Sequence, residues 1–154
     1  MRRVPLVAAI VGAFVLGAVA MATAGRPKVT EPMTIAVVER AVSDVVIDTG
    51  EAGDSSGDLL TFANPLYDAD NAEKVGRNQG DCIRISPEKG TWECRWIVWL
   101  ADGAITVEGA FNDAKPTTMA ITGGTGMYSN ARGTMRLEAG PDEGTFLFTY
   151  KVQA

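Results

Sequence analysis

Residues 121–133 read ITGGTGMYSNARG, with glycines at 123, 124, 126 and 133. A segment this rich in glycine either cradles a phosphate or serves the shape of the chain. A dinucleotide loop needs a strand before it, a helix after it and an acid about 20 residues further on. After Gly126 the chain gives MYSNARGTMRLEA, which alternates as a strand, and the G-x-x-x-x-G-K pattern is absent. The glycines therefore read as conformational: Gly123, Gly124 and Gly126 allow positive φ in a tight reversal, and Gly133 marks a kink where a sheet curls.

Working outward, the chain after residue 32 is short alternating segments divided by turn residues. Strands are expected at 33–40, 43–48, 59–64 (stopped by Pro65), 75–86, 91–101, 104–111, 117–122, 133–139 and 145–152, with a polar connection over 65–74. Strands of this length and spacing, with no 3.6-residue periodicity, indicate an all-β antiparallel barrel or sandwich. The segment TWECRWIVWLA (91–101) puts Trp92, Cys94, Trp96, Val98 and Leu100 on one face, which therefore turns inward. SPEKG (86–90) joins it to the preceding strand as a hairpin, in a register that sets Cys82 opposite Cys94 and Asp81 opposite Arg95.

The first residues differ from the rest. Two arginines precede about 19 uncharged residues and the small-residue exit Ala22-Thr23-Ala24. This is the pattern of a secretory signal peptide over residues 1–24, cleaved before Gly25 and read by the general export route. An uncleaved anchor is the other reading, since the run is long enough to span a bilayer. Of the chain's 14 basic residues only Arg2 and Arg3 fall in the signal, leaving 12 against 19 acidic ones, a net −7. Such a surface disfavours nucleic acid and anionic lipid as partners. In an exported chain the two cysteines read as a Cys82–Cys94 disulfide, with two buried free thiols as the alternative. There is no histidine, so no imidazole-based triad or zinc site is expected, and DADNAE (68–73) lacks the glycine of a calcium loop.

Taken in order, FANPLYDADNAEKVGRNQGDC (62–82), ITVEGAF (105–111) and AITGGTGMYSNARG (120–133) resemble segments of the allene oxide cyclases and plant dirigent proteins. The resemblance covers Gly57 to Val152. It implies an eight-stranded antiparallel barrel after the signal helix, one domain over 32–153, often assembled as a homotrimer. Residues 25–56 would hold the N-terminal segment and first strands, and 57–154 the remainder. It further implies a small hydrophobic partner held in the lumen and no cofactor.

Residue by residue, the resemblance makes Asn64 the catalytic candidate, standing where cyclases hold an epoxide oxygen. Cys82 matches a cavity-lining cysteine, Phe111 stands where cyclases carry a tyrosine, and Arg132 matches the arginine of the dirigent A-R-G segment. Phe62 and Trp96 are the remaining ligand-binding candidates. The cyclases' N-terminal glutamate and Ser-Pro turn have no clear match in 36–53. Bland roles stand beside these: a turn cap for Asn64, core packing for Phe62, Trp96 and Phe111, a surface ion pair for Arg132. Three functions follow: a catalyst of cyclisation, isomerisation or coupling by confinement; a carrier of an apolar ligand; or a structural barrel with a filled lumen.

Overall fold

The computed structural model describes residues 28–153; the expected signal peptide over 1–24 and its expected cleavage point lie outside them. Nine strands follow one another: β1 (Met33–Arg40), β2 (Val45–Ile47), β3 (Leu59–Tyr67), β4 (Lys74–Ser86), β5 (Thr91–Leu100), β6 (Gly103–Asn112), β7 (Thr117–Gly126), β8 (Arg132–Ala139) and β9 (Thr145–Gln153). From β2 to β9 each strand pairs with the next, β9 returns to β1, and β1 pairs with β3 to close the ring. β1 and β2 share one place beside β3, offset by one residue: Glu39 faces Leu66 and Val45 faces Thr61. The result is a closed, eight-membered antiparallel barrel, which leaves the ring no open edge.

Alternation explains which side chains enter the lumen. Trp92, Cys94, Trp96 and Val98 of β5 are buried while Glu93, Arg95 and Ile97 are exposed. The expected register holds: Cys82 faces Cys94, Asp81 faces Arg95, and the two cysteines form a disulfide with Cα atoms 4.0 Å apart.

Two expectations are corrected. Pro65 does not stop β3, which runs on to Tyr67. Ala63 turns its N–H toward Ser43 in the β1–β2 gap, so Pro65, two residues on, faces the same side, where its missing N–H breaks no ladder. Nor do Gly123 and Gly124 make a reversal: they continue β7, opposite Thr106 and Ile105. Only Gly126 of that trio has positive φ, 61°, at the start of the turn. Gly124 is needed for closeness, since a Cβ there would collide with the carbonyl oxygens of Ala104 and Tyr128. At Gly133, φ is 135° and the Lys151 carbonyl lies where a Cβ would be.

The two ends of the barrel differ. One is closed by Val29, Tyr128 and Ala131, all buried, with the Val29 N–H donating to the Met127 carbonyl at 2.9 Å. Leu66, Met135, Phe148 and Tyr150 fill the lumen above this plug. Toward the other end, framed by the loops after β1, β4, β6 and β8, the filling stops.

Candidate functional site

A pocket of about 250 Å³ opens at that unfilled end. Its walls are Leu60 and Phe62 from β3, Cys82 and Cys94, Trp96 from β5 and Phe111 from β6, with Leu137, Phe146 and Phe148 opposite. Phe62 meets Trp96 edge-on and Phe148 stacks on it, both at 5.8 Å between ring centres. A wider depression of about 820 Å³ lies outside the barrel over β3–β6. It is floored by outward residues such as Thr61, Gln79, Asp81 and Ile97, with an Asp81–Arg95 ion pair across it, and encloses nothing.

Three carboxyl groups interrupt the apolar lining: Glu39, Asp44 and Asp113. Glu39 is the inward continuation of Met33, Ile35 and Val37 on β1 and is 5% exposed. Asn64, buried on β3, faces the break between β1 and β2. Its Oδ1 accepts from the backbone N–H groups of Val42 and Ser43 at 3.0 and 3.1 Å, replacing the ladder that the break interrupts. Its Nδ2 donates to Glu39 Oε1 at 2.5 Å and to Asp44 Oδ1 at 2.7 Å. One amide therefore seals the strand break and holds both acids. Asn64 reaches the pocket through Glu39 and Asp44 and is not itself part of its lining.

Burial pushes the Glu39 carboxyl up to about 7; the Asn64 and Asn78 side chains oppose the rise and the neighbouring Asp44 charge adds to it. Beneath it, Asn78 Nδ2, Trp96 Nε1 and the Tyr150 hydroxyl are buried without a hydrogen-bond partner. Burial raises the Tyr150 phenol far above its ordinary value. The Trp96 indole is near enough to oppose that rise, though outside hydrogen-bond geometry, and the Glu39 charge adds to it.

At the rim, Arg84 packs over the Trp92 ring at 4.0 Å. It binds both oxygens of Asp54, at 2.7 and 2.8 Å, and Asp113 Oδ2 at 2.5 Å, while Trp92 Nε1 donates to Asp113 Oδ1 at 2.7 Å. Burial works against the Arg84 charge, and Asp113 and Asp54 more than overcome it. The clamp fixes the loops after β2 and β6 against β4.

The structure brings Phe62, Cys82, Trp96 and Phe111 to one pocket and sets Asn64 behind it. Arg132 lies elsewhere, exposed, donating to the Ala131 carbonyl at 2.7 Å. Glu39, Asp44 and the Arg84 clamp escaped the sequence reading. Glu39 was accessible by alternation, as a lone acid on the inward face of MTIAVVER. Asp44 was not, because a loop has no face.

The family model for allene oxide cyclase matches residues 28–152. Among solved structures, a pyocyanin demethylase is similar at 25% identity over 79% of this chain and 100% of its own, with a TM-score of 0.70. A pterocarpan synthase dirigent protein is similar at 18% identity over 79% of this chain and 86% of its own (TM-score 0.66). An exo-specific intermolecular Diels-Alderase is similar at 16% over 79% and 98% (TM-score 0.63). With nearly every described residue inside the matched span, the chain belongs to the allene oxide cyclase family.

Proposed function

We propose that this barrel is exported, takes a small hydrophobic molecule into its open half and guides its cyclisation, isomerisation or coupling by confinement. One observation carries the reading: an aromatic-walled pocket holds a single buried carboxyl, Glu39, which Asn64 fixes in place and burial pushes up to about 7. A group with that affinity for protons both gives and takes one efficiently at neutral pH. The walls hold the substrate in a reactive shape, and Phe62, Cys82, Trp96 and Phe111 are the contacts. Asn64 acts as a positioning residue, setting the Glu39 oxygen that meets a substrate proton. The Diels-Alderase and pterocarpan synthase among the similar barrels agree with ring-forming chemistry of this kind. The Cys82–Cys94 bond agrees with an oxidising compartment.

The test is to purify the exported chain, identify the small molecules it retains by native mass spectrometry, and follow their conversion across pH. Conversion should inflect near pH 7 in the wild type and lose that inflection in Glu39→Gln. A retained molecule recovered unchanged would make the protein a carrier. A chain that retains no small molecule and binds no apolar bicyclic would be a structural barrel, and the proposal would fail.

A further inference from the structure

The charge and aromatic content of the pocket narrow what it takes, granted that the lumen binds a ligand at all. Five aromatic rings line it: Phe62, Trp96, Phe111, Phe146 and Phe148. The polar groups among them are carboxyls, and among the described residues no Lys or Arg lines the cavity. The Arg84 guanidinium, which pairs with the pocket's Asp113, is 8% exposed and spends its donors on Asp54 and Asp113. Asp113 is thereby answered by Arg84 and the Trp92 indole, whereas Glu39 and Asp44 share only the neutral amide of Asn64. An anionic head group entering here would meet two acids and no counter-charge. A cation would meet aromatic rings, whose faces are electron-rich, and a carboxyl pair.

We infer that the lumen is selective for an organic cation of bicyclic-aromatic size, with Glu39 and Asp44 as its counter-charge and the ring walls as its cage. A fatty-acid carboxylate is the ligand this lining is least suited to hold. Because a proton on Glu39 and a cation in the pocket compete for the same negative charge, each weakens the other. The groups that face Glu39 are Asp44 from the loop after β1, Asn64 from β3, Asn78 from β4 and Tyr150 from β9. Among them only Asp44 is a second acid able to carry the charge while Glu39 is protonated.

The test uses the full chain and three size-matched probes: N-methylquinolinium, neutral quinoline and 2-naphthoate, each titrated by calorimetry at pH 6 and pH 8. The cation should bind at least ten times more tightly than the naphthoate. Its advantage over quinoline should widen severalfold from pH 6 to pH 8, with proton release seen as a buffer-dependent heat. Glu39→Gln should remove that widening. Naphthoate bound as tightly as the cation, or a cation preference indifferent to pH and to Glu39→Gln, overturns the charge selectivity while lumen binding stands. If none of the three binds, the binding reading itself falls and takes this inference with it. The comparison of probes on the unaltered chain does not depend on how well the variant folds.

Discussion

Burial lets Glu39 keep its proton up to about pH 7 in the folded chain, against an ordinary value of 4.5. Below pH 4.5 the carboxyl is protonated in both folded and unfolded chains and costs nothing. Between the two values the folded chain keeps the proton and the unfolded chain loses it, so stability falls as pH rises. The loss is complete above pH 7, at roughly 3 kcal/mol. Glu39→Gln should therefore be more stable than wild type at pH 8 and similar at pH 4, as read from paired urea titrations. Asn64→Leu should act the other way. It strips two acids of their donor and uncaps Val42 and Ser43, and should lower stability by about 3 kcal/mol at neutral pH by the same measurement.

Among the strands, β7 gives the sharpest contrast. Gly124→Ala places a methyl group against two backbone carbonyls, which cannot yield as a side chain tip does. It should cost about 2 kcal/mol or more in denaturant unfolding. Gly123→Ala, whose nearest neighbour is the Arg132 guanidinium at 3.9 Å, should stay within about 0.5 kcal/mol. Neither result is expected of a reversal, where both would suffer. The β4–β5 hairpin supplies a further prediction. Its disulfide joins residues 12 apart, and Cys82→Ser with Cys94→Ser should lower stability by about 3 kcal/mol or less. Because both sulfurs line the pocket, probe affinity should fall as well.

At the scale of the whole molecule, the two ends of the barrel divide the work. The plugged end, with Val29, Tyr128 and Ala131 over Met135 and Tyr150, supplies a core that does not depend on ligand. The open end keeps its aromatic walls only partly covered, so ligand binding should raise the thermal midpoint by mass action. The mature mass should begin at Gly25 and be lighter by two hydrogens than the reduced chain, which native mass spectrometry reads together with any trimer. The barrel, as against a sandwich, came from the family resemblance; the sequence by itself determined the antiparallel β-strands, their inward faces and the register that sets Cys82 opposite Cys94. Each rests on period-two alternation and hairpin register, which act between neighbours along or across strands. Closure of the ring between β1 and β3 was left to the tertiary structure, as were the passage of β3 through Pro65 and the meeting of Glu39, Asp44 and Asn64. Those contacts join residues about 20 or more positions apart across a strand break, where neither alternation nor register reaches.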